Sequence, residues 1–392
     1  MNTRNSKGKH CQICGSAELR SILERCSVPV HQNLVMRHAQ TARAISRGDL
    51  SLVMCVECGF VMNLAFEPGK LLYGAEYDND QTWSPTFSAH VKEVAERVVV
   101  KRDLRGASII EIGCGNGAFL KELLSDESRG NIGYGFDPSY RGPTTALGGR
   151  LQFENRVYDE TCTRVRADVA VCRHLIEHVP QPVELLVLLR RALANSTNAR
   201  IFVETPCVEW IFRNQVIWDL FYEHCCLFSP DSLSAAFESA GFTVENIEHV
   251  FGGQYLLLEG VAGPHRREPR RIAGDLLRLA AEYSAAEASI VASWTEKVKR
   301  LRRSGKVAVW GAGAKGVTFV NLIDPQAELI DCLVDLNPKK QGGFVAGTGH
   351  PIVGYRDLVW RGVSTAILMN PNYHDENESI LREGGIPVEL VQ

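Results

Sequence analysis

The run Ile109-Ile110-Glu111-Ile112-Gly113-Cys114-Gly115-Asn116-Gly117 constrains this chain more than any other stretch. It reads as a buried strand and a tight glycine turn, with Ala118 to Leu124 as the helix that follows. Glycines let the backbone turn sharply and approach a ligand where a β-carbon would collide. A second strand, in Gly133-Tyr134-Gly135-Phe136, ends in Asp137, about twenty residues on, where an acid is placed to hold a ribose diol. The pattern predicts a nucleotide-type cofactor.

Two cofactors compete for the turn. Gly113-x-Gly115-x-x-Ala118 fits a loose dinucleotide fingerprint, which would mean NAD. Glu111-x-Gly113-x-Gly115-x-Gly117 resembles motif I of the class I S-adenosylmethionine (SAM) methyltransferases more closely. A carboxylate at position 111 would sit badly beside a pyrophosphate and well beside an ammonium group. Downstream, Asp168 to Cys172 followed by Arg173-His174-Leu175-Ile176-Glu177-His178-Val179 is similar to the fourth strand and following helix of that family. SAM is therefore the expected cofactor. The resemblance implies that Glu111, Gly113, Gly115, Gly117 and Asp137 bind it and that His174 lines its pocket. Glu177 and His178 read as helix-face residues, and Glu204 at the end of the next strand is within reach of either ligand.

The 43 basic and 46 acidic residues nearly cancel, which gives no electrostatic argument for nucleic acid or an anionic membrane. No apolar run approaches a membrane span, and Met1 to His10 lacks the apolar core of a signal peptide. With 12 cysteines in such a chain, metal binding or buried thiols in a reducing compartment are expected. The cytoplasm is the expected location.

Four of the cysteines form two knuckles, Cys11-Gln12-Ile13-Cys14-Gly15 and Cys55-Val56-Glu57-Cys58-Gly59. Two thiolates spaced this way can grip one ion, and two knuckles complete a closed tetrahedral zinc site of structural type. The alternative is a set of reduced buried cysteines or a redox pair. Cys26 and His31 are the nearest competing ligands and are left out of the predicted set.

Strands and helices alternate from Ser108 to Glu204, which implies a doubly wound parallel sheet. Apolar residues at helical spacing from Arg271 to Leu301 predict a long or broken connecting helix. The basic cluster His265 to Arg271 before it reads as a solvated helix start. A second strand-turn-helix then follows, with Gly311-x-Gly313-x-x-Gly316 and an acid, Asp335, ending the next strand. Nucleotide binding and a purely structural role remain equally open for that unit. The expected division is residues 1–68 as a zinc-binding domain, 69–262 as the methyltransferase core, 263–303 as a connecting helix and 304–392 as a Rossmann-like carboxy-terminal domain. The fold class is α/β: a class I SAM methyltransferase core with a small zinc-binding domain before it and a second Rossmann-like domain after it.

Knuckles, motif I and the run Gly311-Ala312-Gly313-Ala314-Lys315-Gly316 with Asp335-Leu336-Asn337-Pro338 together resemble one family over nearly the whole chain. These are the zinc-containing sugar C-methyltransferases, which act on nucleotide-linked keto-sugars. The resemblance implies a small-molecule acceptor, with neither nucleic acid nor membrane as partner. The family's Tyr-His-Glu-His segment stands here as Phe221-Tyr222-Glu223-His224, with the tyrosine displaced by one position. Its His-Gly-Gly-Ser stands as Phe251-Gly252-Gly253-Gln254. Methyl transfer to carbon needs a base beside the carbonyl and a donor to the enolate oxygen. His224 is the expected base, Glu223 a group that orients or charge-stabilises a neighbour and Tyr222 the donor to the oxyanion. Tyr77, Gln254 and Lys315 are expected to touch the acceptor. The runner-up is a methyltransferase of this architecture with a non-sugar acceptor, and the third reading is a non-catalytic SAM- or nucleotide-binding protein.

Overall fold

The glycine turns and apolar strands of this sequence organise three sheets, seen in a computed structural model that describes residues 10–71, 77–197, 199–263 and 274–392. The basic cluster at 265–271 lies outside the described residues.

The central sheet has eight strands. Across it run Phe242–Val250, Tyr255–Ala262, Arg200–Pro206, Val169–Arg173, Ser108–Ile112, Ile132–Phe136, Leu151–Glu154 and Thr145–Ala146. The five from Arg200–Pro206 to Leu151–Glu154 are parallel, while the strands at both ends pair antiparallel. The wholly parallel sheet expected from the alternation is thus a mixed one. The difference comes from the closing hairpin, whose strands are joined by the short Phe251–Gln254 turn rather than by a helical crossover. Ser108–Ile112 lies in the middle with fully buried Ile109 and Ile110, so the turn at Gly113 opens at the carboxyl edge, where such sheets bind ligands.

The first sheet joins Leu19–Pro29, Arg47–Cys55 and Val61–Asn63 to the short strand Cys226–Leu227, which comes just after His224. Cys11, Cys55, Phe60 and Met62 share one apolar cluster with Cys225, Cys226, Phe228 and the strands of the central sheet. Sequence separates the amino-terminal unit from the core at residue 68; in space they share a core.

The third sheet is parallel throughout, in the order Ile352–Val353, Cys332–Val334, Lys306–Trp310, Val363–Leu368 and Glu389–Val391. Its glycine turn again follows a central strand. One unbroken helix, Gly274–Leu301, braces all three units. Leu276, Leu279 and Tyr283 pack with Leu50, Leu52 and Phe212, while Val298 packs with Val307 and Phe319. Arg25, buried in the first sheet, ties the helix down through Glu287 (2.6 Å) and donates to the carbonyls of Leu220 (2.8 Å) and Ile217 (2.7 Å). No described helix is long and apolar enough to cross a membrane.

Candidate active site and thiol cluster

The two knuckles converge. Cys11 Sγ lies 3.5 Å from Cys58 Sγ and Cys14 Sγ 3.5 Å from Cys55 Sγ, with all four sulfurs within 4.8 Å of one another. A tetrahedron with metal–sulfur bonds of about 2.3 Å has sulfur–sulfur edges of about 3.8 Å, so the donor set fits one ion. Gly15 (φ 77°) and Gly59 (φ 74°) take the left-handed conformation that closes each knuckle, donating to the carbonyls of Cys11 and Cys55. Hydrogen bonding from Cys11 and then Cys58 pulls the Cys55 thiol down to about 2, while contact with Cys11 and Cys55 and then burial push Cys58 up. Cys26 is exposed and His31 is turned to Glu223, so neither joins the cluster.

At the first glycine turn, Gly113, Gly115 and Gly117 all have φ between 54° and 76°. A β-carbon at Gly117 would strike the Phe153 ring at 2.4 Å, so this glycine is required by packing alone; at Gly115 nothing lies within 4 Å. Asp137 ties the turn together. Its carboxylate accepts from Gly115 N (2.8 Å), Ser139 N (2.6 Å) and Ser139 Oγ (2.6 Å). About four lone-pair sites are available on a carboxylate, which leaves one for a ligand hydroxyl. Glu111 is buried, and its Oε2 has no hydrogen-bond partner among the described residues. Burial pushes its carboxyl up to about 8, against the pull of Arg173 and with a push from Asp137. An orphaned acid beside a glycine turn fits a ligand that brings its own cation.

Arg173 and His174 end the neighbouring strand. Arg173 Nε donates to Glu204 Oε2 (2.5 Å), and Glu204 Oε1 meets His90 Nε2 at 2.5 Å. Burial opposes the ionised form of Glu204, yet the charges of Arg173 and His174 and the His90 bond hold its carboxyl well below the usual range. His174 has φ 50°, rare for a residue with a side chain, and its backbone N–H donates to the Glu204 carbonyl at 2.8 Å.

Beyond His174 opens a cavity of about 230 Å³ between the core and the carboxy-terminal domain. His174, Glu177, His178, Phe221 and His224 line it on one side, and Gly311, Gly313, Lys315, Gly316 and Asp335 on the other. The loop residues Asn79 to Gln81, Trp83 and Ser84 close an edge. The second turn repeats the first: Asp335 accepts from Ala312 N (3.0 Å) and Asn337 N (2.9 Å) as Asp137 does from its own turn. A β-carbon at Gly316 would lie 1.9 Å from the Gly311 carbonyl oxygen, so the helix seats on the turn only because position 316 is glycine.

Several expected site residues take other places. Tyr222 is fully buried away from this cavity; its hydroxyl accepts from Glu67 N at 2.9 Å and its ring covers Gly48. It packs the amino-terminal unit against the core, and Phe221 faces the cavity in its stead. Glu223 accepts from Gln32 N (2.9 Å) and meets His31 Nδ1 (3.3 Å), so it orients that segment rather than its neighbour His224. Gln254 lies behind the cavity wall, where its Oε1 accepts from Lys315 Nζ (3.0 Å) and Asn370 Nδ2 (3.1 Å). Lys315 lines the cavity, with Nζ also 2.9 Å from Asp219 Oδ2. Tyr77 packs edge-on to His31 beside the cavity loop rather than lining the cavity.

Glu177 and His178, read from sequence as helix-face residues, sit on a single 3-10 turn at the cavity wall, with Glu177 1% exposed. Asn33, Asp219, Tyr255 and Asn370 also line the cavity and were not singled out by sequence. The run of titratable residues just past an apolar strand was the one available signal for Glu177 and His178; nothing local marks the others.

Residues 87–247 match a methyltransferase domain, and residues 270–385 match a C-methyltransferase C-terminal domain. The chain is a SAM-dependent methyltransferase. It is 25% identical to the C-methyltransferase NovU of Streptomyces niveus over 96% of this chain and 93% of that one. Among solved structures, it is similar to the Burkholderia thailandensis 1,6-didemethyltoxoflavin-N1-methyltransferase (15% identity, TM-score 0.35, 46% of this chain and 81% of that one). The CurJ carbon methyltransferase gives 15% identity and a TM-score of 0.35, over 46% of this chain and 56% of that one.

Two outcomes follow. One zinc per chain is expected, and Cys58→Ser should lose it together with thermal stability of the whole protein, because the knuckles share the enzyme's core and metal affinity is coupled to folding. Elemental analysis showing no zinc, or unchanged zinc in the variant, would contradict the site. Glu111 has a raised carboxyl pKa, so folding favours its protonated form; that contribution is complete below its ordinary value and lost as pH rises towards about 8. Glu111→Gln should therefore stabilise the ligand-free enzyme at pH 7, by up to roughly 3 kcal/mol at about 1.4 kcal/mol per pKa unit, while weakening SAM binding. Denaturant titrations should show the advantage vanishing below about pH 4.5; a variant less stable than wild type at pH 7 would contradict it.

Proposed function

We propose that this enzyme methylates a carbon beside the ketone of a nucleotide-linked keto-sugar. The observation that carries the reading is that His224 and the second glycine turn line one cavity. A base on the core and a nucleotide-type turn on the opposite wall suit a substrate with a reactive ring at one end and a diphosphate at the other. Glu111, the glycines of the first turn, Asp137 and His174 would hold SAM, which when bound supplies a methyl group activated by its sulfonium.

His224 is buried against Phe221, and desolvation, followed by His178, His174 and Lys315, holds its pKa well below 6.5. It is neutral at working pH and ready to accept a proton from carbon. Phe221 and Tyr255 keep water from the reacting carbon, and Lys315 brings positive charge near the developing enolate. Orientation of the acceptor against the methyl group supplies much of the rate. On this reading, the four cysteines bind a structural zinc ion, and the units at 1–68, 69–262 and 304–392 act as zinc-binding, SAM-binding and acceptor-binding domains.

A second reading, a non-sugar acceptor, draws on the burial of Tyr222 and the use of Gln254 as a domain contact, which remove two polar groups from the cavity. One experiment separates the two. With a nucleotide-linked keto-sugar in deuterated water, wild type should exchange the proton beside the ketone. His224→Ala should bind SAM normally and lose turnover by roughly 10²–10⁴, the usual contribution of a general base. Normal turnover in the variant would remove the base assignment, and a wild-type enzyme that neither exchanges nor methylates any keto-sugar nucleotide would favour the second reading. The acidic limb of kcat/KM should lie well below pH 6.5.

A further inference from the structure

Glu177 is a buried acid in the cavity wall. Its Oε2 accepts from the Thr205 hydroxyl at 2.9 Å, which fixes the carboxylate in place. Its Oε1 has no hydrogen-bond partner among the described residues and points into a group of imidazoles. His174 Nδ1 lies 3.8 Å from it and His224 Nε2 4.0 Å, while the His178 ring stands perpendicular to that of His224 at 4.8 Å between centroids. The titratable and charged groups facing His224 are Glu177 and His178 on the 3-10 turn, His174 at the strand end and Lys315 from the carboxy-terminal domain. Three of these four are basic. Glu177 is the single acid among them.

We propose that Glu177 is the positioning residue that lets His224 hold a proton: a fixed carboxylate beside the imidazole that offsets the charge formed when a carbon–hydrogen bond is broken. This deepens the assignment of His224 as base and rests on it. In that step the C–H electron pair moves into the enolate, and the proton passes to an imidazole nitrogen. The imidazolium so formed is surrounded by other basic groups and shielded from water, where an unpaired charge is costly. A carboxylate within about 4 Å is the partner that such a charge needs. Thr205 keeps Glu177 from turning away, and the 3-10 turn holds it at the wall of the cavity.

The test uses zinc-loaded full-length protein. Titration of the His224 ring by nitrogen-15 NMR needs no acceptor and stands whatever the substrate is. Glu177→Gln keeps the Thr205 contact and should lower the His224 pKa by about one unit, a tenfold loss in proton affinity. With the keto-sugar nucleotide as probe, deuterium exchange and kcat should fall together by about tenfold or more, the KM for SAM should stay the same, and the acidic limb of the pH profile should move to lower pH. Glu177→Asp should recover part of both effects, and it serves as the working variant if the glutamine form does not fold. An unchanged His224 titration in Glu177→Gln overturns the proposal even if the protein is less stable or less active. A second metal equivalent per chain in wild type, lost in Glu177→Gln, would also overturn it by making Glu177, His178 and His224 a metal site. If the titration shifts as expected while the keto-sugar is inert, the acceptor assignment fails and the positioning role stands.

Discussion

An ammonium held across a domain boundary fixes the geometry of this active site. Lys315 opens the helix after the second glycine turn, and its Nζ is gripped by Asp219 and Gln254 of the core. Gln254 in turn exchanges two hydrogen bonds with Asn370, and Asn372 caps the Phe251 carbonyl at 2.8 Å. Charge-assisted hydrogen bonds are among the stronger polar contacts, and these are largely shielded from water. Domains joined in one chain move relative to each other unless their interface is extensive. Here the clasp, the brace of Gly274–Leu301 and the loop from Asp78 to Thr86 hold them together. That loop is pinned to the carboxy-terminal domain through Asn337 and Glu376.

The second constraint is the balance of buried charge between the two glycine turns. Glu204 lies between Arg173, His90 and His174, and its low pKa shows that the positive groups prevail there. Glu111, where burial outweighs the pull of Arg173, is driven the other way. One acid is satisfied by the protein itself and the other is left for a cation to satisfy. The positive φ of His174 sits at the junction of the two, where strain is held by surrounding contacts.

The strands and turns were legible because hydrophobic runs and glycines dictate them locally. Ser108–Ile112 and Ile132–Phe136 form as strands where the apolar runs before the turn and before Asp137 place them, and the knuckles bring four sulfurs together as their spacing implies. What sequence could not carry was direction. Tyr222, Glu223 and His224 are consecutive, yet one packs under Phe66, one holds the amino-terminal segment and one enters the cavity. No periodicity distinguishes them, because the segment is irregular and its three neighbours come from different units. The domain contact of Gln254 is invisible in sequence for the same reason: its partners Lys315 and Asn370 lie 61 and 116 residues away. Glu177 was misplaced because a helix was expected where the chain makes one 3-10 turn before Pro182 starts the helix proper.

On the proposed function, the two glycine turns serve one reaction, with SAM at the first and the acceptor at the second. A crystal structure with S-adenosylhomocysteine and a keto-sugar nucleotide tests it most directly. The homocysteine product is expected at Glu111 and Asp137, the diphosphate against Gly311 to Gly316, and the carbon beside the ketone within reach of His224. A nucleotide bound elsewhere, or a sugar ring on the far side of the core from His224, would contradict it.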